Sequence, residues 1–572
     1  MANKFLMLID GRSVYSPVYG TVLWEDQDLA LADIERIEVI RGPGATLWGT
    51  NAVNGVINVI TKKAEDTPGT LVRFHAGNEE TLGVVVRRGG TLGDRAWWRI
   101  TARGFRNDDL VLADGRPSRD EWSGGFVESR LDWRGRSGDG WSLQVHHQDH
   151  DRNVRAMQPV ARWPFSESMV AGFDSGVDWG ILSWEKKDRA GGRWSGRAWI
   201  QRGEGESGAG YVRRSTVDRL LEYAGPRTGS RRWFWGLGAR NNSYRTRGVP
   251  GIYEFRPADH SDQIYSGYVQ DDVRLGPGHA NLVLGAKLEY TSASGAEFEP
   301  QARLRWRFNP DFMAWAAVSR SARTPTWMER SIDWLVTITL EPAPGGGVVP
   351  VVYRLHGTPA VRSEHQVAHE VGFRWSPRKN FSLDVSGYWN KYRGVTSFVS
   401  SGPRVVPPPA PHVEVTATYA NESRLRFRGL DVLARWTPRE NLRLEAWWSW
   451  TEGGIIDSPY DDPDEAAYER GMYLGVNPRH QLHLGASLDL RGGWEADGSV
   501  HWTDRLATGP VASWTRVDLR IGWRSPARDR EWSLALRNAL GRHLEFRYAI
   551  DTIEPEPAWV EPALVSRWTW RF

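Results

Sequence analysis

From about Leu71 to its end, the chain alternates apolar and polar residues with period two. Leu442, Leu444, Ala446, Trp448 and Trp450 are separated by Arg443, Glu445, Trp447 and Ser449. Leu482, Leu484, Ala486, Leu488 and Leu490 repeat the pattern, as do Leu282, Leu284, Ala286, Leu288 and Tyr290. Such segments read as strands with one greasy face and one polar face. In a soluble sandwich the polar face meets bulk water, and in a wide membrane barrel it meets a wet lumen.

Connection lengths separate the two cases. Tight turn signals fall near 93–94, 136–140, 189–192, 227–230, 276–278, 309–310, 377–380, 438–441, 492–493 and 526–530, about ten in all. Most intervening connections look longer, for example 151–172, 321–363 and 451–478. Short turns on one side and long loops on the other are the outer-membrane pattern. Ten turns facing the periplasm require about 22 antiparallel strands. The predicted class is therefore all-β transmembrane: an outer-membrane β-barrel of a size that holds a plugged lumen. A soluble propeller would need a repeat of roughly 40–50 residues, and none is visible.

Composition adjusts this picture in three places. There are 32 Trp, with 17 Tyr and 17 Phe, which suits aromatic girdles at membrane interfaces. The lack of any run of 18 apolar residues excludes a transmembrane helix, and a mean hydropathy of −0.52 fits a barrel, in which only every second strand residue faces lipid. Cysteine is absent, and 73 basic residues nearly cancel 70 acidic ones, so there is no thiolate site and no reason to expect a nucleic-acid partner. The last strand ends on Trp568, Trp570 and Phe572, all on the face that carries Leu564.

A small glycine-rich piece precedes the strand array. Leu6 to Gly11 reads as a strand entering a turn. Asp33 suits a helix cap before Ile34, although IERIEVI also alternates as a strand. Arg41-Gly42-Pro43-Gly44, Gly49-Thr50-Asn51 and Asn54 to Lys62 (NGVINVITK) follow. Together these motifs resemble the second half of the plug of TonB-dependent outer-membrane receptors, in the line of the ferric-siderophore and cobalamin receptors. Looser echoes run through the rest of the chain: SGYVQDDVRL at 266–275, SRSARTPTW at 319–327, RSEHQVAHEVGFRW at 362–375 and RGLDVLARW at 428–436.

The resemblance implies a partial α/β plug at residues 1–66 inside a barrel at 67–572. It implies a monomer in the bacterial outer membrane that imports a scarce nutrient by TonB-coupled plug movement. The family base rate favours an iron–siderophore complex, with cobalamin, haem or another metal chelate as alternatives. Implied partners are the TonB complex, the outer-membrane assembly machinery, a metal-chelate ligand and the lipid bilayer, and no resident cofactor. A family plug also carries a signal peptide, a TonB box and further strands before the IDG strand, whereas Met1 to Asp10 is too short for a signal peptide. The expectation is a natural start upstream, with TonB contacted through that missing segment. The alternative is a passive pore or a non-functional remnant.

Several residues stand out against this frame. Arg36, Glu38 and Arg41 are plug charges that, by the resemblance, lock plug to barrel through separable ion pairs. Gly42, Gly49 and Gly55 read as backbone-geometry positions. Tyr15, Ser16, Tyr19 and Trp24 offer rings and hydroxyls to an amphipathic ligand, or else pack on the wall. Parity with Trp141, Leu143 and Val145 turns His146 and His150 into the lumen, where a metal or haem site competes with plain packing. His147 takes the other face. His356, in the loop after SRSARTPTW, is a second haem-type candidate. Asp461, Asp462, Asp464 and Glu465 form an acidic loop able to bind Ca²⁺ or simply to be solvated. Trp568, Trp570 and Phe572 read as the assembly signal. No nucleophile elbow, P-loop, HExxH or convincing carboxylate pair supports an enzyme.

Overall fold

The computed structural model describes residues 4–78, 80–159, 166–207, 210–276, 279–343, 346–407, 411–460, 463–507, 511–545 and 558–572. Strands from Gly69–Gly77 to Ala563–Arg571 form a closed wall of 22 antiparallel strands. The seam closes where Val565 to Arg571 pair with Gly77 to Leu71. It is finished by reciprocal backbone bonds, Phe572 N–H to the Thr70 carbonyl at 2.8 Å and Thr70 N–H to the Phe572 carbonyl at 3.0 Å. Closure matters because lipid offers no partner for an unpaired backbone group.

The ten predicted turns join strand ends on the side where the chain enters and leaves the wall; residues 277–278 of one of them lie outside the described residues. The tightest link Gly295–Asn309 to Phe312–Arg323, Glu364–Arg378 to Phe381–Val406, and His412–Arg439 to Leu442–Asp457. On the other side, the connection 324–363 carries a helix, Trp327–Ser331, and a hairpin of Ile332–Pro342 and Val348–His356. Helix Pro463–Tyr473 sits in another outer connection. The reading of 151–172 as a long loop is corrected. Strand Gly140–Pro159 pairs with Ser166–Lys187 all the way to Pro159 opposite Ser166. The polar side chains there look like a loop, but a backbone ladder can continue above the membrane whatever its side chains.

Alternation maps onto the wall as expected. Leu143 and Val145 face outward at 39% and 52% exposure, while Gln144 and His146 between them are buried inward. Outward aromatics meet beside the short turns in runs of ring contacts: Trp133 stacks on Trp141 at 5.7 Å and Trp141 meets Trp184 tilted at 6.1 Å, while Trp494–Trp532–Trp568 meet edge-on and tilted at 6.3 and 5.9 Å. This is a girdle at the turn-side interface, where amphipathic rings are favoured. Among the described residues no helix is long and apolar enough to cross a membrane.

The first 61 residues build a four-stranded sheet in the order Arg12–Ser13, Phe5–Ile9, Gly55–Thr61, Ile34–Arg41. Phe5–Ile9 runs parallel to Gly55–Thr61 and is covered on both faces. Leu6 and Leu8 pack with Ala52 and Val56, and Met7 and Ile9 with Val14, Val22 and Val59. The IDG turn follows from backbone geometry. Asp10 and Gly11 have φ of 49° and 80°, and the Asp10 carboxylate accepts from the Thr61 N–H at 2.8 Å. IERIEVI is a strand, not a helix; the only helical turn beside Asp33 precedes it, at Leu31–Asp33. Gly55 lacks a side chain because a Cβ would lie 2.6 Å from the Ile40 carbonyl oxygen on the neighbouring strand.

Candidate functional site

The small sheet lies inside the wall, held by an acidic stripe that meets lumen-facing arginines. Asp33 takes Arg87 at 2.8 Å, the Thr101 hydroxyl at 2.6 Å and Arg99 at 3.6 Å, and Arg99 also reaches Glu128 at 2.9 Å. Asp28 meets Arg103 and Asp26 meets Arg214, while Glu25 takes Arg152 at 2.8 Å. Arg130 bonds the Thr61 hydroxyl at 2.9 Å, and Asp132 accepts from the Ala64 N–H at 2.6 Å. On the far side Lys4 pairs with Glu364 of the wall. Arg12 donates to Gln201 at 2.6 Å and lies 4.7 Å over the Trp179 ring. Burial pushes this guanidinium down to about 10, against the pull of Asp10 and Glu128. Burial alone would raise the Asp28 carboxyl, but His150, 3.5 Å away, and Arg103 hold it below its usual range.

The expected locking residues are corrected in part. Arg41 does reach the wall, bonding Asp431 at 3.1 Å, but it is more than half exposed, so the pair is weak. Arg36 bonds Glu38 and Glu35, each at 2.8 Å, and Glu38 bonds Asn58 at 3.0 Å. Among the described residues neither Arg36 nor Glu38 contacts the wall. Ile34–Arg41 is the edge of the small sheet, so its charges satisfy one another in the open. Reversing Arg36 to Glu is therefore expected to leave plug seating at the wild-type level, as read by permeability of whole cells to a large antibiotic. A leaky Arg36→Glu strain would contradict this assignment.

The apex of the inner domain is the ribbon Tyr15–Ser16 and Thr21–Val22. At its tip Val18 is fully buried among Tyr244, Phe255, Trp327, Met328, Ile332, Trp334 and Leu355. The backbone N–H groups of Trp327 and Met328 donate to the carbonyls of Pro17 and Val18, each at 3.0 Å. Helix Trp327–Ser331 is fixed by a capping box between Thr326 and Glu329. The Trp327 ring stacks on His260 with centroids 3.8 Å apart. Outer connection 324–363 is thus fastened to the plug tip. Val18→Ala should loosen this contact by about 2 kcal/mol, seen as faster proteolysis within 324–363 on intact cells. Cleavage at the wild-type rate would refute it.

Beside the apex opens a chamber of about 1070 Å³. Its inner-domain lining includes Lys4, Phe5, Tyr19 and Asn54, and the wall contributes Tyr388, Tyr392, Phe427 and Trp514. The Tyr392 hydroxyl donates to Asn54 at 2.7 Å and accepts from Gln366 at 2.9 Å. Tyr388 and Thr451 share a bond at 2.8 Å. The volume is at the upper end for small-molecule sites, and the lining mixes aromatic faces with a few fixed polar groups.

The family model for the TonB dependent receptor-like beta-barrel matches residues 69–539, and that for the TonB-dependent receptor plug domain matches residues 1–56. The chain belongs to the TonB-dependent receptor family. A stretch of 78 residues is 40% identical to the vitamin B12 transporter BtuB of Vibrio vulnificus (strain CMCP6), covering 14% of this chain and 12% of that protein. Over 433 residues the chain is 22% identical to the iron-regulated outer membrane virulence protein of Vibrio cholerae serotype O1 (strain ATCC 39315 / El Tor Inaba N16961), covering 68% and 59%. The chain thus spans less than two thirds of the length of these relatives. The siderophore receptor PirA from Pseudomonas aeruginosa superposes with a TM-score of 0.73 at 15% identity, over 100% of this chain and 91% of that one. A mutant of the ferric enterobactin receptor PfeA from the same organism gives 0.77 at 14%, over 100% and 90%. At such identities the two structures speak for the fold alone.

In this TonB-dependent receptor the inner domain is the plug, and the wall is an outer-membrane barrel. The structure disperses the four residues singled out for substrate. Tyr19 lines the chamber. Ser16 is buried beneath the apex turn, and Tyr15 sits behind it near Arg323. Trp24 is 53% exposed and stacks on Phe5 with centroids 6.1 Å apart. His146 and His150 both face inward and are buried. His146 stacks on Trp179 at 4.7 Å and lies 3.6 Å from Glu128, and His150 meets Phe105, Trp122 and Asp28. They sit about 13 Å apart along one strand, each with its own partners, and among the described residues no group of metal-ligating side chains converges. His356 lies 3.3 Å from Asp333 in the outer hairpin. Asp461 and Asp462 lie outside the described residues, as do the side chains of Asp464 and Glu465. Trp568, Trp570 and Phe572 point outward at the turn-side end of the last strand. Asp33 and its arginines escaped the sequence reading. Parity marks the lumen side of the wall, but no short motif sets the register of plug against wall.

Proposed function

We propose that the protein is a receptor that takes up a scarce metal chelate from outside the cell and admits it past the plug in a TonB-coupled step. The observation that carries this reading is the way the plug is held. Its wall contacts are mainly ion pairs and hydrogen bonds of Asp10, Glu25, Asp26, Asp28 and Asp33, with small apolar seats at Val18, Ala30 and Val53 and no continuous apolar core, and polar contacts can be exchanged for water when the plug is pulled. The chamber beside the apex supplies the place for the chelate. The names of the relatives support an iron–siderophore complex as cargo. The short stretch of higher identity to a vitamin B12 transporter supports a corrinoid as the second reading.

The test is growth of a host stripped of its own iron-chelate and vitamin B12 receptors. Expression of the protein should restore growth on one chelate, and deleting tonB in that host should abolish it. Growth restored equally without TonB would mark a passive pore and overturn the proposal.

A further inference from the structure

Resting on that reading, we propose that the chamber accepts an uncharged or cationic chelate and rejects polyanionic ones. Six carboxylates line it, from Glu329, Glu364, Glu370, Asp431, Asp504 and Glu545, against three cations, Lys4, Arg41 and Arg323. All three cations are already paired. Lys4 meets Glu364, Arg323 bridges Glu329 and Glu364, and Arg41 bonds Asp431. No lining cation is left over for an anionic guest.

The surplus runs the other way. Glu545 is shared by His543 at 2.9 Å and Arg516 at 4.0 Å. Glu370 and Asp504 are half-buried and have no ion pair among the described residues. Ten aromatic rings also line it, with Phe398 packed on Tyr419 at 5.1 Å and Phe427 edge-on to Tyr392 at 5.8 Å. Ring faces attract cations and suit neutral apolar surface. Unpaired carboxylates in a partly desolvated chamber raise the energy of a bound anion and so discriminate by repulsion.

Equilibrium dialysis of the purified full-length protein tests this with four probes: a trianionic ferric tris-catecholate, an uncharged ferric trihydroxamate, a monocationic ferric trihydroxamate and cyanocobalamin. At least one uncharged or cationic probe should bind about tenfold or more tightly than the trianion. Added salt should strengthen residual binding of the trianion and weaken that of the cation. The Glu370→Gln, Asp504→Asn double variant should narrow the ratio by raising affinity for the trianion. A trianion bound as tightly as the best neutral probe, or a ratio unmoved in the double variant, overturns the charge inference while leaving the receptor reading intact. Binding of none of the four by folded protein overturns both.

Discussion

Replacing Asp33 with asparagine should loosen the plug by about 3–5 kcal/mol, the usual cost of removing one partner from a buried charge group. Asp33 is 4% exposed and sits between Arg87 and Arg99, the latter 1% exposed. Asparagine keeps the shape and the bond from the Thr101 hydroxyl, but it takes the carboxylate from Arg87 and leaves Arg99 with Glu128 alone. Neither arginine can escape to water without moving the wall strands Leu82–Leu92 and Ala96–Asn107 that carry them. The expected readout is plug release at lower urea, together with cells newly permeable to a large antibiotic. An Asp33→Asn protein with wild-type urea dependence would show that seating rests elsewhere. The Arg36→Glu protein is the internal control, because it changes a plug charge of the same domain with no wall contact.

Deleting residues 563–572 should abolish the barrel. The last strand pairs on one side with Arg530–Arg537 and on the other with Gly69–Gly77. Removing it opens two ladder edges within the membrane, and each unpaired backbone group there costs several kcal/mol. The heat-modifiable folded species on a cold gel should vanish. A normal amount of that species would refute the claim. Phe572→Ala separates two roles. Its backbone bonds to Thr70 persist, so a fall in outer-membrane level in that variant reports the outward aromatic as an assembly signal and not the loss of a strand.

The barrel was legible because period two and turn spacing are local signals. Ten turns between Gly93 and Arg530 sufficed to count the wall, and parity put His146 inward and Phe572 outward. The plug contacts were less so. Arg36, Glu38 and Arg41 drew notice as charges in a strongly patterned strand, yet only Arg41 reaches the wall. Asp33 looked like a helix cap, and its work is instead done across 54 residues of sequence separation with Arg87. Such pairing depends on how one rigid body sits inside another, which no periodicity encodes. Segment 151–172 failed for a related reason, since polar composition hides a ladder that only the neighbouring strand reveals. In the chamber, Tyr19 was within reach of sequence reasoning, whereas Tyr388, Phe427 and Asp504 come from strands and loops far apart in the chain.

The fastening of 324–363 to Pro17 and Val18 has a consequence at the cell surface. Two backbone bonds and one buried valine tie an outer hairpin and its helix to the plug tip. If the plug is drawn inward in the proposed uptake step, that hairpin loses its support. An antibody that recognises the fastened shape would therefore report, on living cells and without entering them, the fraction of receptors whose gate is shut.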